Sequence, residues 1–134
     1  MTEFVWSDQL KIGVGPMDRE HQQIITLMNV LAVAHESGAS FLELDRAFTD
    51  LARYTTKHFK DEEAFMESID FEGLRSHKVI HERLLKEMGE HYEEFRKNRE
   101  LDPKVFRFLT FWLKSHICGI DKKYAEAAKG VRAA

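Results

Sequence analysis

His58-Phe59-Lys60-Asp61-Glu62, a short run to Gly73, then His77-Lys78-Val79-Ile80-His81: residues 58–81 decide the fold of this chain. They place a histidine and a carboxylate four apart, then two histidines four apart. On a helix, positions i and i+4 share one face, with Cβ atoms roughly 5–6 Å apart. Each pair can therefore address one centre. Ser68–Gly73 between them reads as a turn, so the two pairs lie at the joined ends of a helical hairpin.

The rest of the chain extends the pattern in both directions. Upstream, Pro16 suits a first helical turn, where its missing N–H costs nothing, and Asp18 and Glu20 favour that positive end. This first helix runs to about Glu36 and stops at Ser37-Gly38. Ser40 and Glu43 form a capping-box pair for a second helix that reaches about Met66. A third spans about residues 71 to 97. Asp102-Pro103 opens a fourth, which continues to about Ala128 before Gly130. Apolar stripes at spacings of three and four mark all of them. They comprise Met17, Ile24, Met28 and Leu31 in the first, and Leu44, Phe48 and Leu51 in the second. Leu74, Leu84, Met88, Tyr92 and Phe95 follow in the third, then Val105, Leu109, Trp112 or Leu113, and Ile120 in the fourth. The fold class expected is all-α, an up-down-up-down four-helix bundle with an irregular N-terminal arm over residues 1–15.

Histidines continue these stripes into the core: His21 in the first helix, His58 in the second, His77 and His81 in the third, His116 in the fourth. In an up-down-up-down bundle the start of the first and third helices meets the end of the second and fourth. At about 1.5 Å per residue, every grouping then sits roughly 5–15 Å in from one end. His116 and Asp121 are five apart, which in a regular α-helix turns one about 140° from the other. A widened turn around Gly119 would bring them back to one centre, and such turns recur at functional sites. Five imidazoles and two carboxylates in a core carry a large desolvation cost without a metal. They are enough for two ions, and nitrogen and oxygen donors without a thiolate pair favour iron, manganese, zinc or nickel.

Composition bounds the remainder. The 134 residues suit one domain, 1–134, with 43% apolar and 32% charged residues and a net charge of -3. Basic and acidic residues are interspersed, which argues against a nucleic-acid or anionic-membrane surface. No apolar run is long enough to span a bilayer, and MTEFVWSDQL has neither a basic patch nor an apolar stretch of a secretion signal. The single Cys118 fits a reducing compartment, so a cytoplasmic protein is expected. No helix has a continuous outer apolar stripe, so a monomer is expected.

On these motifs the chain resembles the hemerythrin family, in particular its single-domain bacterial members, over nearly its whole length. The family pattern is a histidine in the first helix, HxxxE in the second, HxxxH in the third and HxxxxD in the fourth. All are present: His21, His58 with Glu62, His77 with His81, and His116 with Asp121. The resemblance implies a non-haem centre of two iron ions (Fe2+/Fe3+). His77, His81 and His116 would bind one iron and His21 and His58 the other, with Glu62, Asp121 and an oxo or hydroxo group bridging. It further implies reversible dioxygen binding for storage, transport or delivery, the ligand held as a hydroperoxide on the five-coordinate iron. An oxygen-consuming enzyme is the partner such a role suggests. With neutral imidazoles outnumbering carboxylates, a carrier is favoured over an enzyme. The competing readings are an oxygen or redox sensor, a di-iron oxidase or nitric-oxide or peroxide scavenger, and an iron store or buffer, which would take up more than two ions per chain.

Around the site, Ile24, Ile25, Trp112, Leu113 and Ile117 lie about one turn from ligands and are candidates to line an apolar pocket. Cys118 is expected to face away from the cluster as a small buried hydrophobe. His35 and His91 belong to no motif and are expected to be exposed or capping. Lys60, Asp61 and Glu63 read as a solvated face. Phe59, Phe65, Phe71, Phe106, Phe108 and Phe111 are assigned to the core and arm contacts.

Overall fold

A helix with one apolar stripe is stable in water only where that stripe is covered, and here four helices cover one another. The computed structural model describes residues 4–133, and side chains through residue 129; residues 1–3 of the expected arm and residue 134 lie outside it. Helix α1 is Gly15–Glu36, α2 is Phe41–Ser68 and α3 is Leu74–Asn98. The fourth helix of the bundle has three continuous parts: α4, Lys104–Trp112, a π-helical stretch, Leu113–Asp121, and α5, Lys122–Ala133. The protein is an all-α bundle with an N-terminal arm, and no strand occurs among the described residues.

Local chemistry explains the boundaries. Gly38, at φ +72°, lets the chain leave α1, and its N–H and that of Ala39 bond the carbonyls of His35 (3.3 Å) and Ala34 (3.0 Å). The Ser40 hydroxyl accepts from the Glu43 amide at 3.2 Å, the cap anticipated for α2. α3 begins at Leu74 rather than near residue 71. Phe71–Gly73 are used in a turn in which the Phe71 amide returns to the Met66 carbonyl at 3.0 Å. The Asp102 carboxylate accepts from the Lys104 amide at 2.9 Å and starts α4.

The fourth helix departs from expectation in two places. It runs past Ala128 and through Gly130 to Ala133; one glycine costs a helix only about 1 kcal/mol and does not end it. The π stretch also shifts the register, so that Ile117 and Tyr124 are buried while Ile120 is only partly so. Both Trp112 and Leu113 are buried. Phe111, assigned above to core or arm contacts, is instead 73% exposed, because it falls on the outer face of α4.

The core divides along the bundle axis. Away from the histidines, Phe95 stacks between Phe41 (5.0 Å between centroids) and Phe48 (6.1 Å), and Met28, Leu31 and Leu51 have no exposure. Side-chain bonds to its backbone fasten the arm. Asn29 brackets Phe4, accepting its N–H and donating to its carbonyl, both at 2.8 Å. Asp18 accepts the amides of Ile12 (2.8 Å) and Gly13 (3.1 Å), which seats Leu10, Ile12 and Val14 in the core. Among the described residues no helix is long and apolar enough to cross a membrane.

Asp18→Ala would leave two amides under the arm without acceptors. A loss of about 1–3 kcal/mol is expected from urea unfolding, with faster hydrogen exchange at Ile12 and Gly13. Unchanged exchange at both would show that apolar burial alone holds the arm.

Candidate metal centre

The seven side chains picked out by spacing arrive from all four helices, and none is more than 4% exposed. His21 descends from the start of α1, His58 and Glu62 from the end of α2, and His77 and His81 from the start of α3. His116 and Asp121 come from the π stretch. With i→i+5 hydrogen bonding, that stretch takes roughly one more residue per turn than an α-helix. It therefore puts residues five apart on one face, and His116 Nε2 lies 2.9 Å from Asp121 Oδ1.

The donor atoms form two groups. Glu62, His77, His81, His116 and Asp121 make one and His21, His58, Glu62 and Asp121 the other, with all donors of a group within 4.8 Å of each other. Both carboxylates belong to both groups. Asp121 divides its oxygens, Oδ1 at 3.0 Å from His77 Nε2 and Oδ2 at 3.1 Å from His21 Nε2. Glu62 Oε1 stands 3.1 Å from His58 Nε2 and 3.3 Å from His81 Nε2.

These contacts fit ions better than they fit one another. Donors about 2.1 Å from an octahedral ion are about 3.0 Å apart when adjacent. Despite their proximity, Nε2 of His21, His77, His81 and His116, Oε1 of Glu62 and both oxygens of Asp121 lack hydrogen-bond geometry. Buried polar atoms that crowd together yet remain unpaired have lone pairs aimed at shared points between them. That is the arrangement two bridged metal ions require.

A second layer fixes two of the imidazoles. His58 Nδ1 donates to Glu20 Oε1 at 2.6 Å and His81 Nδ1 to Glu63 Oε2 at 2.8 Å, which leaves each Nε2 lone pair facing the centre. Glu63 is thus not part of a solvated face, because it turns along α2 toward α3. Glu20 likewise does more than favour a helix terminus. Phe59 lies flat on His81, with centroids 3.8 Å apart and planes 5° apart. The Tyr124 hydroxyl, fully buried, donates to Glu62 Oε2 at 2.6 Å. Its position three after Asp121 was a usable signal, because i and i+3 share a face. For Glu20 and Glu63 the sequence offered none, since the partner sits on another helix.

For His21, His58, Glu62 and Asp121 burial disfavours the charged form, but the mutual attraction is larger. Burial would lower His58, yet Glu62 and Glu20 carry it up to about 10. His21 is raised against the same penalty by Asp121 and Glu62. Burial and the neighbouring Glu62 would raise Asp121, but the adjacent histidines, led by His116, hold it at about 2. Glu62 is held well below the usual carboxylate range, His58 outweighing burial. Burial, then Glu62 and Asp121, push Tyr124 far upward, so it stays a neutral donor.

A family model, "Hemerythrin HHE cation binding domain", matches residues 13–128. The chain belongs to the hemerythrin family. It is 32% identical to a bacteriohemerythrin of Stenotrophomonas maltophilia over 129 residues, 96% of this chain and 84% of the relative. It is also 32% identical to a myohemerythrin of Riftia pachyptila over 121 residues, 90% of each chain. A crystal structure of a leucine-to-alanine mutant of hemerythrin superposes with a TM-score of 0.86 at 26% identity, covering 95% of this chain and 98% of that one. The centre is a hemerythrin-type non-haem di-iron site, with histidine, glutamate and aspartate donors.

The remaining candidates lie off the donor set. Cys118 is half-buried and donates to the Gln9 carbonyl at 3.4 Å. His35 packs on Phe106 and His91 on Phe108, both partly buried rather than exposed.

Two outcomes follow. Glu20→Ala or Glu63→Ala frees one imidazole to rotate, and iron affinity measured by competition with a chelator should fall about 10- to 100-fold. Unchanged affinity in both variants would remove the carboxylates from the site. Because His58 in the metal-free chain holds its proton up to about pH 10, loading at neutral pH must expel it. Calorimetric titration in two buffers should show net proton release, and affinity should rise with pH toward that value. A pH-independent affinity would contradict the assignment.

Proposed function

We propose that this chain binds dioxygen reversibly, for storage, transport or delivery, at its pair of iron ions. The observation that carries the reading is the inequality of the two donor groups. Five residues surround one point and four the other, with Glu62 and Asp121 common to both. His77, His81 and His116 would hold one iron and His21 and His58 the second, with Glu62 and Asp121 placed to serve both. The side of His21 and His58, with one donor residue fewer, would leave room for a ligand from outside. When bound, the ferrous pair supplies the two electrons that dioxygen takes up on arrival and returns on leaving.

The chain's own residues make that exchange reversible. Glu62 and Asp121 stay ionised and offset the charge of the ions inside a low-dielectric core. Tyr124 holds Glu62 in its bridging orientation, and Glu20 and Glu63 hold the tautomers of His58 and His81. Ile24, Ile25, Trp112, Leu113 and Ile117 are all buried within about a turn of the donors and keep water from the ligand position. A water-poor pocket with neutral imidazoles in the majority suits binding rather than turnover. In this reading residues 1–134 act as one domain and a monomer in the cytoplasm, passing dioxygen to an oxygen-consuming enzyme.

Anaerobic reconstitution with ferrous iron, followed by optical spectra through cycles of air and inert gas, tests it. The expected result is two irons per chain and a visible charge-transfer band that comes with air and goes with its removal. Irreversible oxidation with release of peroxide would overturn the carrier reading.

A further inference from the structure

The helical threonines share a habit with one exception. Thr26, Thr49, Thr56 and Thr110 each turn the hydroxyl onto the carbonyl one turn earlier, at 2.8–3.1 Å. Thr55 does not. It has no exposure, and its Oγ1 has no hydrogen-bond partner. A buried hydroxyl that forgoes the helix carbonyl its neighbours use is turned toward something else.

Its place in the fold says what. Ligands come late in α2, so the bundle interior lies toward the N-terminus of that helix. Thr55 stands one turn inward from His58. By the same geometry Ile24 stands one turn inward from His21, and Trp112 one turn inward from His116. The Nε1 of Trp112 is also buried without a partner. Phe59 joins the two helices, flat on His81 and edge-on to Trp112 at 6.0 Å. This layer is otherwise apolar, yet it carries two unpaired donors. Thr55 precedes His58, a member of the group of four donor residues, by three positions on α2.

We propose that Thr55 is a specificity residue of the ligand pocket. Its hydroxyl, assisted by the Trp112 N–H, donates to the outer atom of a small ligand seated beside His21 and His58. The inference rests on the iron-pair reading and deepens it. A donor with no water to fall back on favours ligands whose far end accepts a hydrogen bond, small anions above all. A ligand without an acceptor leaves the donor unpaired and is selected against.

Azide, a small anion with an accepting far end, is the probe, titrated optically into the iron-loaded, fully oxidised protein. Thr55→Val removes the hydroxyl at constant shape, Thr55→Ser keeps it, and Trp112→Phe removes the N–H. The expected result is azide affinity weakened about 10- to 100-fold in Thr55→Val, the range for a hydrogen bond to a charged group, and recovered in Thr55→Ser. Iron content should stay at the wild-type value. A shift of the azide stretch on exchange into D2O should be present in the wild type and lost in Thr55→Val. Azide affinity and stretch unaltered in Thr55→Val would overturn the proposal, the more so if metal-free Thr55→Val melts higher. The azide series does not require reversible oxygenation, so a protein that oxidises irreversibly in air would sink the carrier reading and leave this one standing. A chain that binds no iron pair would sink both.

Discussion

Two ionised carboxylates with no exposure, Glu62 and Asp121, set the terms for the rest of this molecule. A lone buried carboxylate is unfavourable enough to take up a proton instead. Here each is surrounded by imidazoles from three or four helices, so the charge is compensated only when every helix is in place. The site therefore depends on the bundle, and the packing of the bundle at this end depends on the site. The aromatic layer of Phe41, Phe48 and Phe95 at the other end has no such condition and supplies apolar burial independent of any ion.

The same constraint accounts for the distortion of the fourth helix. An α-helix could aim either His116 or Asp121 at the centre, not both. Nine residues of π-helix, Leu113–Asp121, bring them together. The cost is poorer helical geometry over two turns, offset by ligand contacts and by what the shifted register buries. Tyr124 then comes inside, where its hydroxyl completes Glu62. A deletion that restored α geometry around Gly119 would misplace Asp121 and Tyr124 together, so the two cannot be treated as independent features.

How legible all this was in the sequence depends on range. Helix periodicity and the i, i+4 pairs are local, and they led to the bundle, its topology and all seven converging side chains. The five-residue interval of His116 and Asp121 even announced the widened turn, because a regular helix could not use it. What escaped were contacts between helices. Glu63 differs from the solvated Lys60 only in which neighbour it meets, and Asp18 and Asn29 reveal their hold on the arm only once the arm is laid over α1. Phe111 failed for the complementary reason: an apolar residue on an outer face has the same composition signal as one inside.

The pKa pattern also sets the pH range over which the charges of the metal-free centre compensate one another. For His58, raised from 6.5 to about 10, the stabilisation is full below 6.5 and is lost as pH rises through 10. For Glu62 and Asp121, depressed from 4.5 and 3.8, it is full above those values and is lost as pH falls through the depressed ones. The windows overlap at mildly acidic pH, where protons on imidazoles compensate the carboxylates. Metal loading then exchanges protons on His21 and His58 for the charge of the ions. Glu20 and Glu63, bonded to His58 and His81 and partly exposed, stand between those imidazoles and solvent.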